Sequence, residues 1–441
     1  MQKRVSLRLV QLSLAGLFLG FSASSYASGF QLFEANGAGI GDFNAGAAAN
    51  ANDASVAFFN PAALVTMKAP QIQLSAVGVW TDISFSGTDR LTTALPVPPF
   101  SSTGTFAGTA QGGAYSTIPS LEAAGPINDE LSWGFSVAVP FGLDTNYDTN
   151  SFVRYAATQT SVQDIDISPS LGFKVTSKFS LGLGLDADRL HAVFNSAAGV
   201  PALGPFFGTG LDSLSGNDAT GWGYGWHAGA MYQFTPDTRV GLAYRSKVSY
   251  TVTGTSDFVG PLSGGAMISN NNLTVDTTLP ATSILSVDHQ FNCEWGGEAT
   301  VMYTQWSVFN NLVLQNVQLP TGTTNVGIPQ NFRNTWRGAL GATFKPFDQW
   351  LFRAGVGYDE TPTVDNARNA RLPDGNRFAT SLGVHYQPIK ALGVDVGWTH
   401  LFIQNGNVSV TQRAGTSSTT VIGTAKSYAD LVGVQLTWSF V

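Results

Sequence analysis

The chain of 441 residues carries one cysteine, Cys293, which leaves no internal disulfide framework and no CxxC metal or redox site. Charge is scarce as well: Asp, Glu, Lys and Arg make up 12%, about half the ~25% of an ordinary soluble domain. With 22 basic residues against 29 acidic ones and no basic run, the footprint of a nucleic-acid binder is missing. Beyond the first 27 residues there is no stretch of 18 apolar residues, so helical membrane spans are not expected. Motifs of hydrolytic and nucleotide chemistry are absent too: there is no GxSxG, no HExxH and no P-loop, and no cofactor is expected. Glycine, by contrast, is abundant at 49 residues, aromatics reach 12%, and mean hydropathy is +0.07. Such a chain is too apolar to be disordered.

The first residues follow a separate logic. Lys3, Arg4 and Arg8 precede an apolar stretch from Leu9 to Phe21, and Ser25-Tyr26-Ala27 supplies small residues of the A-x-A kind. This is the layout of a secretory signal, with cleavage expected after Ala27. The apolar stretch is too short for the ~20 residues of a spanning helix.

In the rest of the chain, apolar residues alternate strictly. Tyr224, Trp226, Ala228, Ala230, Tyr232 and Phe234 interleave with small or polar residues, and the terminal run Val432 to Phe440 does the same. Period two puts one set on each face of a strand. Long alternating strands with an apolar aromatic face and a polar face predict an all-β fold, an antiparallel transmembrane β-barrel. Trp306, Trp350, Trp398 and Trp438 are expected outward, as interfacial girdles. Tight links are predicted at Asn128-Asp129, Ser177-Lys178, Pro236-Asp237, Asn292-Cys293, Pro346-Asp348 and Pro388-Lys390. Long Gly/Ser/Thr/Asn-rich connections are predicted at about 87–118, 143–161, 195–222, 255–272, 316–334, 360–376 and 405–425. Six short turns alternating with seven long loops give a 14-stranded barrel with strands of ~10–12 residues. A general porin satisfies the same alternation.

Residues 28–68 do not alternate. Gly37-Ala-Gly-Ile-Gly and Ala45-Gly-Ala-Ala-Ala-Asn are small and weakly charged, unlike an exposed tail, and fit a plug inside the lumen. The predicted organisation is a signal peptide at 1–27, an N-terminal hatch at 28–68 and the barrel at 69–441. The start Ser28-Gly-Phe-Gln-Leu-Phe-Glu34 and the run Asp53-Ala-Ser-Val-Ala-Phe-Phe-Asn60-Pro61-Ala62 with Leu64 resemble the hatch of the long-chain fatty-acid outer-membrane transporter (FadL) family. Val240-Gly-Leu-Ala-Tyr-Arg-Ser246, Tyr303-Thr-Gln-Trp-Ser307 and Leu372-Pro-Asp374 followed by Arg377-Phe378 extend the likeness in the same order along the chain. The resemblance implies a monomer in the outer membrane, among lipid and lipopolysaccharide. It implies a lumen blocked by a hatch that includes Gly29, Asn60, Pro61 and Ala62, and uptake of hydrophobic small molecules. Long-chain fatty acids are the first expectation, and aromatic or alkane hydrocarbons the alternative.

Candidate substrate contacts are Phe30, Arg333 and Arg337. In Asn331-Phe-Arg333-Asn-Thr-Trp336-Arg337, Arg333 matches a basic position that family members use near the carboxylate of the bound acid. The family's other basic position falls near Ser196, where this chain has no cation, which leaves room for neutral hydrocarbons. Extrapolated strand parity places Arg245, Lys247, Arg337, Arg353 and Arg377 inward with Glu122, Asp164, Asp166, Asp288, Glu298 and Asp395. These charges either pair with one another and the hatch or offer a cationic column to a carboxylate. Leu95-Pro-Val-Pro-Pro-Phe100 and Val200 to Phe207 are apolar loop clusters, either capture grooves or loop cores. In the third strand, Pro140-Phe141-Gly142 interrupts the alternation where proline has no ladder donor. The strand either ends at Val139 or kinks, and the position resembles the family's inward kink, a lateral gap through which cargo leaves when residues 28–35 move. Five histidines are scattered at 191, 227, 289, 385 and 400. His227 and His385 are expected in the lumen, satisfied by neighbours or, in an outer-membrane hydrolase, serving as a base.

Overall fold

A computed structural model describes residues 29–94, 101–201 and 211–440. The signal segment 1–27, the cluster 95–100 and most of the cluster 200–207 lie outside the described residues. Among the described residues no helix is long and apolar enough to cross a membrane.

Fourteen antiparallel strands close into one barrel. They are β1 (Gln71–Ala94), β2 (Ser101–Gln111 and Tyr115–Pro126), β3 (Leu131–Asn146), β4 (Gln159–Lys174), β5 (Phe179–Ala198), β6 (Ser213–Thr235) and β7 (Thr238–Arg245 and Val248–Val259). There follow β8 (Met267–Leu279 and Thr282–Gln290), β9 (Trp295–Thr304 and Asn311–Leu319), β10 (Gly322–Pro329 and Thr335–Phe347), β11 (Trp350–Asp359), β12 (Arg377–Ile389), β13 (Leu392–Ala414) and β14 (Ser417–Ser439). Five strands are interrupted. Both pieces of β7, β8 and β9 keep the same two neighbours. By contrast, Gly322–Pro329 of β10 pairs with β9 and β13 while Thr335–Phe347 pairs with β9 and β11, and Ser101–Gln111 of β2 pairs with β1 while Tyr115–Pro126 pairs with β1 and β3. Closure runs from Gln71↔Ser439 to Thr92↔Ser418.

All six tight turns fall where the sequence puts them. In three, the first polar side chain caps the turn: Asn128 Oδ1 accepts from the Glu130 and Leu131 amides, Thr176 Oγ1 from Lys178 and Phe179, and Asn292 Oδ1 from Glu294 and Trp295. At the other end the long connections are only partly as expected: 360–376 joins β11 to β12 with the expected bounds and 147–158 joins β3 to β4, but elsewhere the strands run on. β1 has 24 residues, and only residues 415–416 separate β13 from β14. Most of the stretches at 87–118 and 405–425 are strand extensions, held by ladder bonds and by cross-strand hydroxyl pairs such as Ser86–Thr109 (2.9 Å) and Thr411–Thr420 (2.9 Å).

The outward face explains why they read as loops. On β1 the exposed positions Ile72, Leu74 and Trp80 are apolar, but from Asp82 onward the outward side chains are Ser84, Ser86, Thr88, Arg90 and Thr92. On β6 the band from Trp222, Tyr224 and Trp226 to Tyr232 and Phe234 gives way above to Thr220 and Asp218. Lipid-facing alternation therefore stops partway up each strand. Trp350, Trp398 and Trp438 are exposed as predicted, whereas Trp306 is 0% exposed. It lies in the break of β9 (residues 305–310), which turns it into the lumen.

Residues 29–67 run across that lumen. A 3₁₀ turn, Gly39–Asp42, lies against β11–β14, and a helical pair, Val56–Phe59 and Pro61–Thr66, against β3–β6 on the other side. Gly355, Gly383, Gly397 and Gly433 come from four successive strands and let this backbone lie directly on the wall. A Cβ on Gly355 would stand 2.3 Å from the Asp42 carbonyl, and one on Gly397 2.6 Å from the Gly41 amide. Wall side chains bind the segment's main chain: Thr399 to the Ile40 carbonyl (2.6 Å), Ser180 to Ala62 (2.7 Å), and Gln435 and Ser286 to the amides of Ala38 and Ala48.

Candidate functional site

Above the inner segment the barrel holds a succession of cavities. The outermost, about 270 Å³, lies between the upper ends of the strands, with Leu91, Ala197, Val200, Leu319 and Ala414 in its wall. Below it a smaller chamber of about 50 Å³ is almost wholly apolar, bounded by Leu143, Val162, Leu190, Val275, Leu312 and Leu372 with Phe30 beneath. Phe194 and Arg371 line both. A third cavity of about 60 Å³ follows beside Gln31, Leu32, Pro140 and Phe141, and Leu279 is common to it and the chamber above.

An aromatic knot separates the last two. Phe30, 4% exposed, meets Trp306 (4.8 Å between centroids), Phe309 (5.3 Å) and Phe141 (6.0 Å) edge-on, and Phe332 at 6.5 Å. Such geometries suit the ring quadrupoles. Gly29 takes φ +63°, its amide donates to Asp374 (3.0 Å), and a Cβ there would lie 2.8 Å from Pro362. Only a glycine threads the chain past Trp306 at this point without strain. The sequence picked out Phe30 and Gly29 but missed Phe309 and Phe332, and it misplaced Trp306. A signal was available: Trp306-Ser-Val-Phe309 and Phe332 sit where two neighbouring strands lose alternation at one height.

Beside this knot the wall opens. Pairing of β2 with β3 ends at Leu121↔Val137, while residues 115–120 of β2 remain on β1. Between β3 and β4 the register slips from Ala138 to Phe141, across Pro140. The inner segment takes over the ladder from within: the Leu32 amide donates to the Pro140 carbonyl (2.8 Å), the Gly142 amide to the Phe30 carbonyl (2.8 Å), and Gln31 faces Phe141. The strand therefore continues to Asn146, kinked. Farther down the segment, Asn60 anchors the turn: Nδ2 donates to the carbonyls of Ala48 (2.6 Å) and Ala230 (3.3 Å), and Oδ1 accepts from the Ala62 amide, with Pro61 at the first helical position.

The lumen charges are mostly partnered. Arg245 binds Asp166 and Asp186, which also meets His227 (2.6 Å); Arg353 binds Asp395, which also meets His385 (2.9 Å); Arg377 binds Asp374. Lys247 is exposed, because the break after Arg245 shifts parity. Arg337 is buried between Phe33 (4.4 Å) and Phe43 (4.1 Å) and donates to the Phe43 carbonyl. Arg333 is exposed and its Nε donates to the Thr361 carbonyl (3.1 Å), so the two predicted cations do not converge on one cavity. Ser196 lines the outer cavity. In the inner segment, burial raises the Glu34 and Asp42 carboxyls to about 7 each. Arg371 was not foreseen: it comes from the connection 360–376, where no alternation marks an inward side chain.

The family model described as "Outer membrane protein transport protein (OMPP1/FadL/TodX)" matches residues 19–440. The chain is 28% identical over 417 residues to the "Long-chain fatty acid transport protein" of Salmonella typhi, covering 88% of this chain and 90% of that one. It is 30% identical to "Outer membrane protein P1" of Haemophilus influenzae, covering 97% and 98%. Among solved structures, a Pseudomonas aeruginosa FadL homologue superposes with a TM-score of 0.81 at 28% identity, covering 94% of this chain and all of that one.

Proposed function

The chain belongs to the OMPP1/FadL/TodX family of outer membrane transport proteins, and from that premise we propose that its cargo is a long-chain fatty acid, released passively and sideways through the opening beside Pro140, Phe141 and Gly142. The observation that carries this reading is the series of cavities that ends at a break in the wall stoppered by residues 30–32. Residues 29–67 act as the hatch: they obstruct an open bore, so cargo needs a gated path rather than a water-filled hole.

The lining supports a long apolar tail. Each buried methylene contributes ~0.8 kcal/mol, so ten give about 8 kcal/mol before ordering costs, which corresponds to roughly micromolar affinity. Concentration gradient alone then drives release, and no nucleotide is needed. Relatives named as long-chain fatty acid transport proteins support the acid over a hydrocarbon. Expression in a Gram-negative host lacking its own fatty-acid uptake protein tests the proposal. Growth on oleate as sole carbon source is the expected result; growth on an alkane or aromatic compound but not on oleate would refute the acid assignment.

A further inference from the structure

Most buried arginines in this lumen and its rim contact a carboxylate; Arg337 and Arg371 do not. Arg154, Arg239, Arg245, Arg353, Arg368 and Arg377 each contact a carboxylate. Arg337 lacks such a contact but spends its charge on two rings and a carbonyl. Arg371 is 6% exposed and has no carboxylate beside it among the described residues.

Its hydrogen bonds are lopsided. Nη1 donates to the Gln159 carbonyl (3.1 Å), the Thr160 hydroxyl (2.9 Å) and the Asn195 carbonyl (3.2 Å). The Phe194 ring lies 5.6 Å from the guanidinium carbon, Nε is buried without an acceptor, and Nη2 takes part in none of these three bonds. These two nitrogens form one edge of the guanidinium, the side-on fork that matches the two oxygens of a carboxylate. A buried cation with an unmet donor edge is costly to a fold unless something compensates it. Burial lowers its pKa to about 10, so it stays charged at neutral pH.

The placement is fixed in advance. Thr145 donates to the Arg371 carbonyl (2.8 Å), Tyr147 to that of Ala370 (2.9 Å), and Asn369 Oδ1 accepts from the amides of Arg371 (3.0 Å) and Leu372 (3.2 Å). The side chain borders both the outer cavity and the apolar chamber, so it stands at the neck between them.

We propose that the Nε–Nη2 edge of Arg371 receives the carboxylate of the incoming acid, with the tail extending into the chamber of Leu143, Val162, Leu190 and Leu312. The head is thereby held uppermost and the tail points at Phe30 and the wall opening, so cargo approaches the exit tail first. This rests on the uptake reading above and makes Arg371 the residue that separates acids from neutral molecules of equal length.

Binding of oleate and of oleyl alcohol to the purified full-length protein in a non-ionic detergent tests it, for wild type, Arg371→Gln and Arg371→Lys. Wild type should prefer the acid. Arg371→Gln should weaken oleate about 10- to 100-fold, the worth of a charge-assisted bidentate contact, and leave the alcohol within about threefold. Arg371→Lys should fall between, since it keeps the charge and loses the fork. Unchanged oleate affinity in Arg371→Gln would overturn the assignment, and equal losses for acid and alcohol would make Arg371 a strut. If wild type binds acid and alcohol alike, the head-group contact alone is refuted; if it binds neither, the uptake reading falls with it.

Discussion

A covalent clamp across the wall opening tests the gate directly. Gln31 and Phe141 face each other with ladder bonds on either side, the arrangement of a non-hydrogen-bonded antiparallel pair. Such pairs bring Cα atoms to about 4.5 Å, within disulfide reach. The variant Gln31→Cys/Phe141→Cys, made with Cys293→Ser to remove the exposed native thiol, should therefore oxidise without moving the backbone. What the clamp must oppose can be sized. Two backbone hydrogen bonds contribute about 0.5–1.5 kcal/mol each, and burial of Phe30 about 1.5–3 kcal/mol. In the native chain the segment would then be off the strand in roughly one molecule in 10² to 10⁴, a population sufficient for passive flux. Oxidation should abolish that population and cut uptake of a labelled fatty acid by cells at least tenfold, with reductant restoring it. The reduced form of the same variant controls for the lost phenyl ring. If oxidised and reduced proteins transport alike, residues 30–32 do not gate the route.

Straightening the kink with Pro140→Val plus Gly142→Val should reduce uptake while ligand binding persists, since a Cβ at Gly142 meets Leu32 at 3.0 Å and pairing with β2 becomes possible; unchanged uptake would reject sideways exit. Asn60→Ala strands the buried carbonyl of Ala48 and removes a cap, at a cost of about 2–4 kcal/mol to the inner segment; limited proteolysis should then cut within 45–66 at a rate the native protein does not show. Docking of that segment should also depend on pH. Glu34 and Asp42 hold protons up to about 7 when docked, while the released chain gives them up near 4.5 and 3.8. Docking is therefore tightest below about pH 4 and weakens as pH rises to about 7, with little further change above. Protection of residues 29–50, measured as the ratio of intrinsic to observed amide exchange rate, should be lower at pH 8 than at pH 5, and Glu34→Gln/Asp42→Asn should flatten the difference; equal native protection at both pH values would contradict it.

Strand number, turn positions and the lodged N-terminal segment were legible because each has a local physical signature. Alternation follows from lipid on one face, Asn128 and Asn292 cap their own turns, and a Gly/Ala-rich segment with little charge suits contact with a wall on all sides. Reading failed where alternation ceased to report on lipid. Above Trp80 the outer face of β1 turns polar while Ile83, Phe85 and Leu91 point into the lumen, so an ordered strand looked like a loop. At the breaks after Arg245 and Thr304 parity resets, which sent Lys247 outward and Trp306 inward. Arg371 shows a different limit: that no carboxylate stands beside it among the described residues is a property of three-dimensional neighbours that no spacing encodes. Pro140 and Gly142 were legible as a disruption, but that Phe30 and Leu32 substitute for the missing ladder partner was not.

The height of β1 has its own consequence. Its 24 residues, at about 3.3 Å each and tilted by ~40°, rise roughly 60 Å along the axis, whereas its apolar outer face, residues 72–80, accounts for only about 25 Å. The protein is thus a chimney standing some 35 Å clear of the hydrocarbon, with its flue narrowing past Arg371 and its side vent, between residues 115–120 and 138–146, level with the upper half of the greasy collar. On the proposed sideways route, a molecule that dissolves poorly in water would descend sheltered by protein and step out directly into oil.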